Sequence, residues 1–151
     1  MTRRASLIEF LDRHRVIGLD TRPFIYHLET HPRYGPLTAT LFALLERRGA
    51  SAVTSTITMT ELLVHPYRKN DIDRVNSIYA ATSTYPNLRW VATTLAIADE
   101  AARLRATYGL RTPYAIRIAT AMSAGATGFV SNDKGCGRVA ELEILRLDDA
   151  V

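Results

Sequence analysis

Three acidic residues follow apolar, strand-like runs along this chain of 151 residues. Asp20 closes the run VIGL, Glu61 lies about one helical turn past the run SAVTS, and Asp133 follows the run TGFVS. The carboxyl ends of parallel strands meet at one edge of an open α/β sheet, so we expect the three carboxylates to converge there. A cluster of hard oxygen ligands suits Mg²⁺ or Mn²⁺, and hence phosphodiester hydrolysis.

Each acid also has an ordinary structural explanation. Asp20 can cap the helix that follows it, and Asp133 can form a turn with its neighbours. Glu61 is harder to explain in this way, because a carboxylate on an apolar helix face is almost never buried without a partner or a metal. Three such coincidences at one predicted sheet edge favour a functional site.

The elements that must position these acids alternate between strands and helices, which predicts an α/β fold with a central parallel sheet flanked by helices. A capping-box pair, Ser6 and Glu9, predicts a short N-terminal helix over 6–14 that precedes the core, and Pro66 is expected to follow the end of a helix. At this length the chain, 1–151, is most simply one domain. The predicted strands are 16–19, 51–55, 88–91, 127–131 and 142–147; the predicted helices of the core are 24–29, 37–48, 57–64, 71–81, 95–108 and 112–123.

Composition narrows the function classes. The net charge of +4 and the pI near 9.5 favour an anionic partner, either nucleic acid or an acidic protein. No apolar stretch approaches the ~20 residues that cross a membrane, so we expect no membrane association. The single cysteine, Cys136, excludes an internal disulfide and predicts a reducing, cytoplasmic location.

Four short segments occur in order along the chain: LDT at 19–21, TMTEL at 58–62, TPYAI at 112–116 followed by ATA, and SNDK at 131–134. Together they resemble the PIN-domain ribonucleases, in particular the VapC-type toxins of bacterial toxin–antitoxin pairs, over roughly residues 16–147. The resemblance implies a PIN-like three-layer fold and an Mg²⁺- or Mn²⁺-dependent endoribonuclease. It also implies an RNA substrate, a cognate antitoxin that neutralises the protein, and a homodimer.

The resemblance further implies that Asp20, Glu61 and Asp133 are the catalytic acids and the metal ligands. At a fourth acidic position the family pattern reads Thr-Pro-Asp-Ala, whereas this chain has Tyr114. A phenol with a pKa of ~10 is neutral at pH 7 and is a poor ligand for Mg²⁺. We therefore expect Tyr114 to face the acid pocket and to weaken the activity. The alternative is a catalytically impaired PIN fold that binds antitoxin or RNA without cleaving it.

Two further residues are candidates for substrate contact. Arg117 lies one turn beyond the substituted position on the same helix face, where it can contact a phosphate or pair with a surface acid. Thr56, after the second strand, can line the acid pocket or serve as an ordinary loop residue. For contacts between subunits and with the antitoxin, we expect the apolar surfaces of Phe42, Leu45 and the helix 72–79.

Overall fold

A parallel sheet forms the centre of the computed structural model, which describes residues 3–47, 50–135 and 139–150. Its strands are β1 Val16–Leu19, β2 Ser51–Ser55, β3 Leu88–Val91, β4 Gly128–Ser131 and β5 Glu143–Arg146. They are ordered β3-β2-β1-β4-β5, and each neighbouring pair is parallel. The carboxyl ends of β1, β2 and β4 therefore lie side by side at one edge.

Helices cover both faces of the sheet, which confirms the predicted α/β class. One core cluster joins the sheet to the first five helices, and a second joins it to the last two. Residues that alternate along a strand point to opposite faces, and β1 and β4 accordingly contribute to both clusters. The helices are α1 Arg3–Arg13, α2 Thr21–Leu28, α3 Gly35–Arg47, α4 Thr56–Arg68, α5 Ile72–Ser83, α6 Leu95–Tyr108 and α7 Thr112–Ser123.

Helix α7 approaches the sheet closely because β1 has a glycine beneath it. A Cβ atom on Gly18 would lie 2.5 Å from Cδ2 of Phe129 and 2.6 Å from Cβ of Ala121. Such distances are far inside van der Waals contact, so any larger residue would push α7 or the Phe129 ring away. The absence of a side chain at Gly18 thus sets the height of α7 above the sheet.

Several observed helix boundaries differ from the predicted ones, and two of the differences change the interpretation of a residue. Helix α1 runs from Arg3 to Arg13 and not over 6–14, so Ser6 lies inside the helix and cannot be its cap. Its residues Leu7 and Phe10 are fully buried, which makes α1 part of the core. Helix α4 continues through Pro66 to Arg68. The buried Pro66 ring lies within the last turn, where the loss of one backbone hydrogen bond is compensated by packing.

The expected contact surface is also partly wrong. Phe42 and Leu45 are only 2% and 1% exposed, because this face of α3 packs into the core, where the Phe42 ring contacts Phe24, His27 and Tyr85. Ile72 and Tyr79 of α5, by contrast, are more than half exposed.

Within the described ranges, no helix combines the length and apolar character that a membrane crossing requires. Cys136 lies outside the described residues.

Candidate functional site

Asp20 stands directly after β1, at the carboxyl edge of the sheet, and its carboxylate is held by two donors. Its Oδ1 accepts the backbone N–H of Thr21 at 2.8 Å, which makes it the cap of α2, and its Oδ2 accepts the hydroxyl of Ser131 at 2.7 Å. The residue is only 4% exposed. The Asp20 carboxylate that caps α2 is therefore held in a fixed orientation at this edge of the sheet.

Arg117 places a guanidinium against two of the predicted acids. Its Nε lies 3.3 Å from Oδ1 of Asp20, and its Nη2 donates to Oε1 of Glu61. The side chain is 7% exposed, because α7 presses it towards the sheet. The sequence left open a phosphate contact or a surface acid as its partner. The structure instead pairs Arg117 with the site acids themselves.

The electrostatics of Asp20 reflect its burial. Removal from water raises the pKa of its carboxyl group, and the negative charge of Glu61 acts in the same direction. The Arg117 guanidinium, the Ser131 hydroxyl and the Thr21 N–H lower that pKa but do not cancel the increase. A charged carboxylate in such surroundings is costly in free energy unless a positive group lies beside it.

Glu61, which lies on α4, contacts the same guanidinium group of Arg117. The helix begins after Ser55, whose hydroxyl accepts the backbone N–H of Ile57 at 3.2 Å, and Glu61 follows about one turn later. Its side chain is 40% exposed, so the expectation of a buried carboxylate is wrong. Glu61 faces solvent on one side and the guanidinium on the other.

Asp133 lies beyond the end of β4 and is linked to Asp20 through Ser131. The Ser131 hydroxyl donates to Asp20 and accepts the backbone N–H of Asp133 at 3.1 Å. Oδ1 of Asp133 accepts the N–H of Gly135 at 2.9 Å, so the exposed residue does form the turn that the sequence allowed. Sequence reasoning missed Ser131 as a site residue, although a hydroxyl at the last position of a strand before an acid is a usable signal.

In the structure Asp20 and Glu61 both contact the guanidinium of Arg117. Among the residues that the structure describes, no group of three or more His, Cys, Asp or Glu side chains is arranged to hold a metal ion. The convergence of all three acids as metal ligands therefore stays a prediction.

Tyr114 belongs to the core beneath α7. It is 5% exposed, and its ring meets Phe129 edge-on with 6.0 Å between the ring centroids. Tyr114 therefore contacts strand β4, which ends at Ser131, and its orientation towards the acid pocket stays a prediction. Its predicted effect on activity stays a prediction.

Thr56 is the exposed first residue of α4 and lines an apolar groove between α4 and α5. The groove has a volume of about 790 Å³, and the indole of Trp90 forms part of its wall. The exposed side chains of Val64, Tyr67 and Tyr79 line it as well. A role for Thr56 in substrate contact stays a prediction.

The oxygen donors of Asp20 and Glu61 are of the kind that suits Mg²⁺ and Mn²⁺. In the structure both carboxylates contact the guanidinium of Arg117. A metal ion held by these residues stays a prediction.

Comparisons with known proteins agree with this architecture. Residues 17–142 match the family model described as PIN domain. A toxin–antitoxin complex from Klebsiella pneumoniae is similar in structure, with a TM-score of 0.62, 19% identity, and coverage of 87% of this chain and 97% of that one. VapBC2 from Rickettsia felis, bound to a DNA fragment from its promoter, is similar with a TM-score of 0.67 and 15% identity, and the match covers 87% of this chain and 98% of that one. DNA-bound VapBC from Salmonella typhimurium is similar with a TM-score of 0.64 and 19% identity, and the match covers 87% of this chain and 97% of that one.

No significant match to a curated protein was found. At these identities the likeness to solved structures establishes the fold. The family model covers most of the chain, from β1 to the residue before β5, and includes all three acids. This chain belongs to the PIN-domain family.

Proposed function

We propose that the protein is the toxin of a toxin–antitoxin pair and acts as an Mg²⁺- or Mn²⁺-dependent endoribonuclease. The observation that carries the proposal is that Asp20 and Glu61, from separate elements at the carboxyl edge of the sheet, share one cationic group. Membership of the PIN-domain family supports nuclease chemistry. The similar structures titled as toxin–antitoxin complexes support the toxin role.

In this proposal Asp20, Glu61 and Asp133 hold the metal ion. A bound divalent cation supplies Lewis acidity, which lowers the pKa of water and stabilises charge on a phosphoryl oxygen. The chain's own contribution is orientation. Ser131 and the Thr21 N–H fix the Asp20 carboxylate in advance, so no side-chain entropy is lost there when a ligand arrives.

Because Tyr114 stands where the family pattern has an acid, one anionic ligand is replaced by a neutral phenol, and we expect weak cleavage. The second candidate function follows from the same residue. A PIN fold whose chemistry is impaired would still bind antitoxin or RNA, and the contacts of Arg117 with two site acids favour it. RNA cleavage by the present sequence decides between the two.

The test compares the wild-type chain with Asp20→Asn, using an end-labelled RNA in Mn²⁺ buffer and in EDTA. Asp20→Asn removes one anionic ligand but keeps the capping oxygen, so it should fold and should lose Mn²⁺-dependent cleavage. Asp99→Asn, an exposed acid on α6, is the matched control and should cleave normally. Equal cleavage by the wild type and Asp20→Asn, with or without metal, would reject the proposed site.

The proposed partners are RNA, an antitoxin protein and a second copy of the chain. The exposed apolar side chains of the α4–α5 groove, which include Tyr67 and Tyr79, support a protein contact on that face. A solution mass by light scattering at micromolar concentration should equal two chains. A monomeric mass, together with no copurification of the protein encoded beside the gene, would count against these partners.

A further inference from the structure

We infer that Arg117 is a built-in competitor of the divalent cation: its guanidinium neutralises Asp20 and Glu61 in the metal-free protein and must leave before a metal ion can bind. The inference rests on the proposed function only for the identity of the competing cation. It assigns Arg117 a role that differs from both the phosphate contact and the pairing with a surface acid that the sequence allowed.

The charges and burial require a positive group at this place. Asp20 is almost fully removed from water, and Glu61 adds a second negative charge nearby. Two carboxylates so close repel each other unless a cation lies between them. Arg117 is the group in contact with both, and it is as deeply buried as Asp20 is.

The same place cannot hold both cations. The guanidinium contacts one oxygen of each carboxylate, and these are oxygens that a divalent ion would use as ligands. A divalent ion beside a buried guanidinium would also be repelled at short range. Metal binding and the present Arg117 contacts are therefore mutually exclusive.

The contacts of Arg117 allow it to be displaced. Its Nε is buried, and in the described part of the chain it has the 3.3 Å ionic contact with Asp20 but no well-formed hydrogen bond. Its other contact, with Glu61, lies at the half-exposed side of the site. Asp20 would keep its orientation after displacement, because Thr21 and Ser131 hold it independently.

The experiment measures Mn²⁺ binding to the full chain without RNA, by calorimetry and by the electron paramagnetic resonance of free Mn²⁺. Arg117→Met removes the charge and keeps much of the length. It should bind Mn²⁺ about tenfold or more tightly than the wild type, because the freed carboxylates lack a counter-ion. Arg105→Met removes an exposed charge from α6 and is the control, with unchanged affinity expected.

Thermal unfolding gives a second readout. Without metal, Arg117→Met should melt at a lower temperature than the wild type, and Mn²⁺ should recover more of this loss than NaCl of equal ionic strength. Arg117→Gln, which keeps hydrogen bonding without charge, is measured in parallel and should also gain affinity. The double variant Asp20→Asn/Arg117→Met should lose the gain, which locates the bound ion.

The outcomes separate the inference from the proposed function. Unchanged Mn²⁺ affinity in folded Arg117→Met and Arg117→Gln would overturn the inference, whatever the cleavage. Failure of both variants to fold even with Mn²⁺ would also overturn it, because the metal then cannot replace the guanidinium. Weakened RNA binding with unchanged Mn²⁺ affinity would restore the phosphate-contact role. Tight Mn²⁺ binding without RNA cleavage by any variant would keep the inference and reject the nuclease.

Discussion

Two clusters of charged side chains lie at opposite ends of the same sheet, and they differ in their balance of charge. At the amino end, the carboxylate of Glu143 accepts from both Nε and Nη2 of Arg13 and lies 2.8 Å from Nε2 of His14. The other ring nitrogen of His14 lies 2.8 Å from the hydroxyl of Thr127. One acid thus has two basic neighbours, and the contacts join α1 to β4 and β5.

At the carboxyl end the ratio is reversed, since Asp20 and Glu61 share the single guanidinium of Arg117. The amino-end cluster connects Arg13 of α1 and the adjacent His14 to the sheet through hydrogen bonds. The carboxyl-end cluster has more negative than positive charge in contact and contains a buried N–H without a hydrogen bond. A cluster that is already neutralised stabilises the fold, whereas one that is short of positive charge can bind a cation.

Tyr114→Asp should change this contrast most, because it adds a carboxylate beside the end that already lacks positive charge. Mn²⁺ affinity and RNA cleavage should each rise by about tenfold or more, and expression should harm the host more. Loss of the buried ring beside Phe129 should lower the free energy of unfolding without metal by roughly 3–5 kcal/mol. Metal titration, cleavage assays and urea unfolding measure the three effects.

Tyr114→Phe is the control, since it keeps the ring and adds no acid, and its cleavage should equal that of the wild type. If Tyr114→Asp folds and changes neither metal binding nor cleavage, the three remaining acids suffice, and the impaired-site reading fails.

Two glycines allow the ends to be disturbed separately. Gly18→Ala forces a Cβ against Phe129 and Ala121 under α7, and Gly128→Ala forces one to within 2.9 Å of Cγ of His14. Each should lower the free energy of unfolding by about 1–3 kcal/mol through overpacking. Gly18→Ala alone should alter Mn²⁺ binding, because it shifts the helix that carries Arg117. Equal effects of both variants on Mn²⁺ binding would remove the distinction between the ends.

Glu143→Gln should give the smallest effect, below about 1 kcal/mol at pH 7, because the carboxylate is partly exposed. Its hydrogen bond with Arg13 holds the pKa of Glu143 below the ordinary range. A depressed carboxyl pKa contributes stability above the unfolded-state pKa of about 4.3, and this contribution is lost as the pH falls through the folded-state pKa. Urea unfolding of both forms should therefore differ at pH 7 and converge in acid. A difference that grows in acid would contradict this.

Sequence patterns predicted the sheet better than the helix ends. The strands 16–19, 51–55 and 88–91 were predicted with their observed bounds, because short apolar runs between turn signals are typical of buried parallel strands. The start of α1 was missed because Ser6 and Glu9 also fit inside a helix. The burial of Phe42 depends on which face of α3 meets α2 and the core, which is decided by tertiary packing.

The site shows the same division. Strand-terminal position predicted that Asp20 and Glu61 would lie close together, since topology alone determines it. The pairing of Arg117 depends on the height of α7 above Gly18, and the role of Ser131 depends on the rotamer at a strand end. Neither is encoded in local spacing, so sequence reasoning placed Arg117 on a phosphate or a surface acid and left Ser131 out.

Trp90 is a natural fluorescent reporter of the groove between α4 and α5. It is the single tryptophan of the chain, its Nε1 donates to the carbonyl oxygen of Thr82 at 3.1 Å, and its ring lies 5.9 Å from that of Phe24. One side of the indole thus touches the core and the other lines the groove. Its fluorescence shifts to longer wavelength when the chain unfolds, and it changes in the folded protein when another molecule covers the groove. The occupancy of this face can therefore be titrated with the unlabelled, unmodified protein.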